Sequence, residues 1–196
     1  MTAIIKYNAG NVQSVLFALQ RLGSQALWTD DPAALQAADR VIFPGVGEAA
    51  SAMQYLRARG LDSVIASLKQ PVLGICLGMQ LFCRHSEEND THCLDLVDTD
   101  IYKFNAQETD VKVPHMGWNT LHDLKGPLFE GIKDGEYAYF VHSYYARLHD
   151  DTTAVTQYGV TFSAAVQRNN FYGVQFHPEK SGLTGARILH NFLNMR

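Results

Sequence analysis

The residues best suited to chemistry in this sequence are a cysteine and the two glycines that flank it. Gly74, Cys76 and Gly78 form a G-x-C-x-G pattern between a short apolar run and a segment typical of a helix. In a nucleophile elbow, a sharp strand-to-helix turn holds the central residue in strained backbone geometry, and residues without a Cβ let neighbouring chains pass closely. The helix N-terminus then favours the thiolate. The pattern predicts a nucleophile, although a buried structural cysteine also fits this pentapeptide.

A nucleophilic cysteine needs a base, and the base needs a group that orients it. His177 and Glu179 follow a strand-like run and stand two residues apart, so their side chains can return to the same face. A carboxylate bonded to one ring nitrogen would aim the other nitrogen at the thiol. A His-Pro-Glu string alone is compatible with an ordinary surface turn. Together with the elbow, it predicts a Cys-His-Glu triad at the strand ends of one sheet.

A glycine-rich turn offers a place for negative charge that develops during attack by the thiol. The segment 44–47, Pro-Gly-Val-Gly, follows the strand expected beside the Cys76 strand. Its backbone N–H groups at Val46 and Gly47, with that of Leu77 after the nucleophile, are natural oxyanion donors. Without the elbow, a plain glycine-rich turn would be the better interpretation.

The composition fits one compact domain over residues 1–196. The chain is 46% hydrophobic and 18% charged, with a net charge of −4. A negative balance gives no indication of a nucleic-acid surface. The three cysteines lack disulfide-like spacing, which favours a reducing, cytoplasmic compartment. No secretory signal is visible, and no stretch approaches the ~20 apolar residues that span a bilayer.

The hydrophobic periodicity predicts strands that alternate with helices in the N-terminal half. Strands are predicted at 3–5, 25–28, 40–43 and 72–75; helices are predicted after an Asn11 cap, at 32–37, 48–59 and 61–68, and from Leu77. Such alternation implies right-handed βαβ units and a mainly parallel sheet with helices on both faces.

The second half of the chain has a different pattern of predicted elements, with short strands in place of alternating strands and helices. Short strand-like runs are predicted at 94–97, 111–113, 137–142, 154–156, 161–167 and 171–176, and a final helix runs from Leu183. Asn169 and Asn170 predict a tight hairpin between the last two runs. These strands are expected to be antiparallel additions folded against the same sheet.

Several motifs in this order resemble those of the class I, triad-type glutamine amidotransferases. They lie at 44–47, 74–80, 114–119, 139–144 and 170–179, so the resemblance covers nearly the whole chain. Within that family they look like the branch formed by the glutaminase subunits of imidazole glycerol phosphate synthase, from histidine biosynthesis. Met79 stands where many relatives carry histidine. Lys6 stands where an acidic residue is expected, which leaves subunit contacts there open.

The resemblance implies an α/β, flavodoxin-like fold, with a mixed, mainly parallel sheet flanked by helices and antiparallel additions in the C-terminal half. It also implies hydrolysis of L-glutamine to glutamate and ammonia by Cys76, His177 and Glu179, without a cofactor. The ammonia would pass through a channel into a (β/α)8-barrel cyclase subunit, the partner in a heterodimer. There it would react with phosphoribulosyl-formimino-carboxamide ribotide (PRFAR), giving imidazole glycerol phosphate and aminoimidazole carboxamide ribotide (AICAR).

The same resemblance assigns residues that bind the substrate. The ends of glutamine that carry the α-amino and carboxylate groups would lie near Gly47, Gln80, Glu88, Ser143 and Tyr144. Glu88 and Gln80 are chemically suited to an ammonium and a polar head, although both could be ordinary solvated residues.

The segment 114–119 is expected to be a loop that faces the cyclase, through Met116, Trp118 and Asn119. An exposed tryptophan beside methionine is typical of an interface anchor; a core position for Trp118 is the alternative. The oxyanion donors near Val46 are expected to be misoriented until the partner binds.

Other functions are compatible with parts of the sequence. Cys83, His85, His92 and Cys93 could suggest a metal site, but their spacing fits no closed zinc pattern, so no metal is expected. A glutaminase subunit of another synthase, or a stand-alone cysteine hydrolase, would also use the elbow. A regulatory binding module would need none of the triad residues.

Overall fold

The computed structural model describes residues 1–8, 10, 12–109 and 111–195, without the side chains of residues 108 and 109. The strands of this described part are, in chain order, β1 (Thr2–Ile5), β2 (Ala26–Thr29), β3 (Arg40–Gly45), β4 (Val72–Cys76), β5 (Cys83–Ser86), β6 (Thr91–His92), β7 (Val97–Lys103), β8 (His115–Thr120), β9 (Tyr137–His142), β10 (Tyr144–Ala146), β11 (Thr152–Tyr158), β12 (Val160–Arg168) and β13 (Phe171–Val174). The helices are α1 (Val12–Arg21), α2 (Pro32–Ala37), α3 (Ala49–Ala58), α4 (Leu61–Ser67), α5 (Leu77–Phe82), α6 (Ala106–Thr109) and α7 (Gly182–Leu193), with short 3-10 turns at Pro127–Phe129 and Pro178–Lys180.

The central sheet has seven strands in the order β11-β12-β13-β4-β3-β1-β2. The five strands from β13 to β2 are parallel, and β12 and β11 extend the sheet as antiparallel strands at one edge. β1 and β4 are buried along their whole length, as expected for parallel strands covered on both faces. The predicted mixed, mainly parallel sheet is confirmed, and β4 with the Cys76 elbow lies at its centre.

Alternating strand residues feed two hydrophobic cores, one on each face of the sheet. Val41 and Val72 pack with α2, α3, α4 and α5 on one face, whereas Ile42 and Leu73 pack with α1 and α7 on the other. The predicted helices on both faces are therefore confirmed. Asp31 caps α2, since its carboxylate accepts from the N–H groups of Ala33 and Ala34 at the start of the helix. The predicted cap at Asn11 lies outside the described residues.

The predicted hairpin at Asn169 and Asn170 is confirmed. Arg168 at the end of β12 pairs with Phe171 at the start of β13, and Asn169 has a φ of 53°, as a two-residue hairpin turn requires. After this turn, β13 runs parallel to β4. The segment that follows β13 therefore lies at the carboxyl ends of the strands, as Cys76 does.

Not all of the later strands belong to the central sheet. β10, β7, β5 and β6 form a separate four-stranded sheet, and β8 and β9 form a two-stranded sheet. The segment 111–113 is not a strand, and of the run 94–97 only Val97 is, as the first residue of β7. The segment 114–119 was expected to be a loop, yet His115–Thr120 pairs with β9 over six residues. Its sequence contains a glycine, and its apolar residues Met116 and Trp118 lie on the exposed face, so this pairing depends on tertiary context that periodicity does not report.

Candidate active site

Cys76 is the last residue of β4 and caps α5, with φ 52° and ψ −106°. A positive φ is uncommon for a residue with a side chain, and it usually marks strain that the surrounding structure maintains. The geometry matches the predicted nucleophile elbow. It projects the thiol from the carboxyl end of the central strand, which is where α/β sheets carry their sites.

The two glycines of the elbow allow α5 to cross the sheet at close range. A Cβ on Gly78 would overlap the backbone oxygen of Phe43 in β3. A Cβ on Gly74 would lie 2.5 Å from Cε2 of Phe82 and 2.7 Å from the backbone nitrogen of Met79. Any larger residue at either position would push the helix away from β3 and β4.

His177 and Glu179 lie at the end of β13, next to β4. His177 Nδ1 is 2.8 Å from Glu179 Oε1, and both side chains are buried. The backbone N–H of His177 donates to the Tyr139 carbonyl at 2.8 Å, and the Ser181 hydroxyl donates to the His177 carbonyl at 2.6 Å. The 3-10 turn at Pro178–Lys180 returns Glu179 to the imidazole, so one short segment supplies and orients the base.

The second ring nitrogen of His177 is left for the thiol. Nε2 is buried and makes no hydrogen bond of ordinary geometry to the described residues. Burial alone lowers the pKa of His177, but hydrogen bonding to Cys76 and to Glu179 outweighs it and raises the pKa to about 10. This rise favours the protonated imidazole, whose positive charge stabilises negative charge on the sulfur.

Two further groups contact the sulfur of Cys76. The Gln175 amide nitrogen lies 3.6 Å from Sγ, and Sγ lies 3.8 Å from the Val141 carbonyl oxygen. The Gln175 side chain is fully buried. Sequence reasoning missed Gln175, which directly follows β13, because a glutamine in a predicted strand carries no signal until its neighbours are known.

A cavity of about 320 Å³ opens over Cys76. It is lined by Val46, Gly47, Cys76, Leu77, Gln80, Glu88, Pro114, Val141, His142, Ser143 and Tyr144. The structure thus brings together all the residues predicted for oxyanion stabilisation and for substrate binding. His177 and Glu179 lie outside this lining.

Glu88 is the acidic side chain of the cavity wall. One of its oxygens accepts from the Ala49 N–H, at the start of α3, at 2.7 Å. Burial raises the pKa of Glu88, the hydrogen bond from Ala49 opposes this, and the nearby Glu48 adds to the rise. A half-buried carboxylate of this kind is suited to a ligand that carries a positive charge.

Tyr7 supports the glycine-rich turn from beneath. Its hydroxyl donates to the Pro44 carbonyl at 2.7 Å, and a Cβ on Gly45 would overlap that hydroxyl. Burial, with a smaller effect from Cys76, raises the pKa of Tyr7 far above its usual value, so the phenol stays neutral. The turn continues into Gly47, whose φ of 125° favours glycine. The sequence did not point to Tyr7, which lies 37 residues from its partner.

The residues predicted for the partner interface lie on the two faces of β8. Met116 and Trp118 are 62% and 56% exposed, so Trp118 is not a core residue. Asn119 points to the opposite face, where its amide nitrogen lies 3.3 Å from His115 Nε2 and 3.0 Å from the Gln157 carbonyl. The exposed face of β8 is therefore carried by Met116 and Trp118.

The candidate metal residues are engaged in other contacts. Cys83 and Cys93 are buried, and burial raises the pKa of both thiols, that of Cys93 to about 12. His85 Nε2 lies 2.8 Å from an Asp90 carboxylate oxygen. Among the residues that the structure describes, no group of three or more His, Cys, Asp or Glu side chains is arranged to hold a metal ion.

Two further observations concern the surface. Lys6, the departure noted in the first strand, lies 4.0 Å from an Asp30 oxygen and 5.6 Å from the centre of the Trp28 ring. Within the described ranges, none of the helices has the length and apolar character needed to cross a membrane.

Comparison with known proteins agrees with this geometry. Residues 4–195 match the family model of class-I glutamine amidotransferases. The imidazole glycerol phosphate synthase subunit HisH of Bacteroides thetaiotaomicron is 56% identical over 193 residues, covering 98% of both chains. The subunit of the same name from Shewanella loihica is 46% identical over 204 residues, covering 99% of this chain and 90% of its own. A crystal structure of a glutamine amidotransferase matches the fold with a TM-score of 0.74 at 17% identity, over 97% of this chain and 96% of the other. The chain belongs to the class-I glutamine amidotransferases and, within them, to the family of HisH subunits of imidazole glycerol phosphate synthase.

Proposed function

We propose that this chain, acting as a single domain, is the glutaminase subunit of imidazole glycerol phosphate synthase in histidine biosynthesis. It hydrolyses L-glutamine to glutamate and ammonia, and the ammonia passes through a channel to a (β/α)8-barrel cyclase subunit that converts PRFAR to imidazole glycerol phosphate and AICAR. The observation that carries the proposal is the strained Cys76 beneath a cavity, together with the buried His177–Glu179 pair. The high identity to HisH subunits supports the choice of synthase.

The geometry suits a two-step hydrolysis. The Cys76 thiolate attacks the side-chain amide carbon of glutamine, and the backbone N–H groups of Leu77 and of the Val46–Gly47 segment stabilise the oxyanion. His177, protonated in the resting state, donates its proton to the departing ammonia. The now neutral imidazole activates water against the glutamyl thioester, while Glu179 keeps the ring oriented.

The cavity wall accounts for recognition of the amino-acid end of glutamine. Glu88 supplies negative charge for the α-ammonium group, and its bond to Ala49 fixes the carboxylate. Gln80, Ser143 and Tyr144 supply polar groups on the neighbouring walls, and Gly47 leaves room for the ligand beside the oxyanion turn. A pocket with few convergent polar groups is typical of a small-molecule site.

The cyclase would dock on the exposed face of β8. Exposed Met116 and Trp118 provide apolar area beside the cavity wall, since β8 begins directly after Pro114, which lines the cavity. Docking there would allow the partner to move the oxyanion turn into its active orientation. We place the resulting heterodimer in the cytoplasm, because the three cysteines are free thiols.

The proposal is tested by co-purification with a barrel cyclase and by measuring ammonia release with and without PRFAR. We expect turnover to depend on the partner and to rise further with PRFAR. Cys76→Ala should lower glutamine-dependent turnover by at least ~10³-fold, because it removes the nucleophile. The matched variant Cys93→Ala should retain wild-type turnover. Full activity of the isolated chain would favour a stand-alone cysteine hydrolase, and turnover by Cys76→Ala would contradict the proposed mechanism.

A further inference from the structure

A chain of two buried amides leads to the reactive sulfur. The Gln80 amide nitrogen donates to the Tyr144 carbonyl oxygen at 3.1 Å and to Gln175 Oε1 at 2.9 Å. The Gln175 amide nitrogen in turn lies 3.6 Å from Cys76 Sγ. Gln80 and Gln175 are 5% and 0% exposed, so water does not replace these contacts.

The orientation of both amides follows from one backbone group. A carbonyl oxygen can only accept, so the Tyr144 oxygen requires the nitrogen end of the Gln80 amide. That nitrogen carries two hydrogens, and the second requires an acceptor, which is the oxygen of Gln175. The Gln175 amide must then present its nitrogen to the sulfur. A flipped Gln175 would bring two N–H groups together inside the core and leave both unsatisfied.

We propose that Gln175 is a third polar group on the reactive sulfur, donating an N–H to the Cys76 thiolate, and that Gln80 is the positioning residue that holds it in this orientation. The inference rests on the proposed function only in taking Cys76 as the nucleophile. The His177 imidazolium stabilises the thiolate through charge, and Gln175 adds a neutral donor.

The Val141 carbonyl oxygen shows why such a donor is needed. It lies 3.8 Å from Sγ, where it accepts from the neutral thiol but repels a thiolate. The Gln175 N–H offsets this repulsion, because a charged acceptor gains more from a donor than a neutral one does. Removing the donor therefore disfavours the thiolate specifically.

The test is the rate of Cys76 alkylation by iodoacetamide as a function of pH, followed on the Cys76 peptide by mass spectrometry so that Cys83 and Cys93 do not contribute. The midpoint of this profile belongs to the coupled Cys76–His177 pair. In Gln175→Met, which keeps the volume and loses the donor, we expect the midpoint to rise by about 0.5 to 1 pH unit. In Gln175→Glu it should rise further, since a carboxylate beside the sulfur opposes the thiolate.

Variants of Gln80 test whether the orientation of the Gln175 amide, and not only core packing, sets the midpoint of the alkylation profile. Gln80→Met should raise the midpoint by less than Gln175→Met does, and adding it to Gln175→Met should give no further rise, because the donor is already absent. Thr156→Val is the matched control, since it removes a buried hydrogen bond to the Thr120 carbonyl without touching the sulfur. Its midpoint should equal that of the wild type.

The outcomes are distinguishable from failure of the proposed function, because alkylation needs neither glutamine nor the cyclase. An unchanged midpoint in both Gln175 variants, or equal rises in Gln175→Met and Thr156→Val, would overturn the inference. If Gln175→Met does not fold, Gln80→Met alone tests the inference. A midpoint for Gln80→Met equal to that of the wild type would then contradict the proposed role of the two amides.

Discussion

His115 Nδ1 and His142 Nε2 lie 2.9 Å apart inside the core beside the candidate active site. His142 Nδ1 donates to the Tyr144 carbonyl at 2.7 Å, so its Nε2 must accept from His115, and His115 Nε2 is left to accept from the Asn119 amide. Burial lowers the pKa of His115 to about 4. Burial also lowers the pKa of His142 to about 3, although the bond to Tyr144 opposes this shift. Both rings are neutral at pH 7, and each has a fixed tautomer.

This pair predicts acid-sensitive stability. An imidazole whose pKa is lower in the folded chain binds fewer protons when folded, so stability falls as pH drops from the unfolded value of about 6.5 towards the folded one. As the pH falls from 7 to 5, we expect the pair to lower the free energy of unfolding by on the order of 4 kcal/mol. The raised pKa of His177 acts in the opposite sense, since its contribution is present below pH 6.5 and is lost as pH rises.

Urea unfolding of a double variant isolates the pair. His115→Phe with His142→Leu removes both polar partners at once, so no buried donor is left unpaired, and His177 stays in place. The variant should lose clearly less stability between pH 7 and pH 5 than the wild type. His190→Asn, at an exposed position, is the control. Equal pH dependence in wild type and double variant would contradict the prediction.

Glu179→Gln should lower the turnover number on the order of 10³-fold. A glutamine amide can donate to Nδ1, which places the ring proton on Nε2 and leaves no fixed positive charge beside the sulfur. Steady-state ammonia release by the complex with the cyclase measures this. Glu130→Gln, on the surface, should behave as wild type. A Glu179→Gln variant within a few-fold of wild type would show that Glu179 does not orient the base.

Gly78→Ala should destabilise the fold by about 2 kcal/mol or more, because the added Cβ overlaps the Phe43 carbonyl oxygen. In an open helix the same change is favourable by roughly 0.5 to 1 kcal/mol, so the sign of the effect reports the close crossing of α5 over β3. Thermal unfolding measures it.

Gly23→Ala is the control for this glycine. Gly23 has a φ of 73° but no atom within 4 Å of its added Cβ, so only backbone strain of ~1 kcal/mol is expected there. Gly78→Ala unfolding at a temperature equal to or above that of Gly23→Ala would refute the crossing argument.

Trp118→Ala should weaken binding of the cyclase by about 2 kcal/mol, or roughly 30-fold in Kd, while the isolated chain keeps its stability. The side chain is half-exposed and makes an edge contact with Tyr139 at 5.9 Å, so its loss leaves no cavity in the core. Calorimetric titration with the cyclase measures the affinity. Leu148→Ala, an exposed apolar residue between β10 and β11, should bind as wild type, and an unchanged Kd for Trp118→Ala would place the interface elsewhere.

The sequence was most informative where local pattern and chemistry coincide. The elbow at Cys76, the His177–Glu179 pair and the alternating strands of the first half are each encoded within a few residues, and the structure has them as predicted. β8 was missed because its partner strand, not its own pattern, makes it a strand. Gln175 was missed for the same reason, since its two contacts, Gln80 and Cys76, lie 95 and 99 residues away.

The backbone of Cys76 has a consequence for how this enzyme can change. A residue with a side chain at φ 52° is less stable than glycine would be, by about 1 kcal/mol. Cys76→Gly would therefore relieve the strain and lose the nucleophile in a single substitution. At this position a substitution that raises stability removes turnover. Stabilising substitutions for this enzyme therefore have to be sought at other sites.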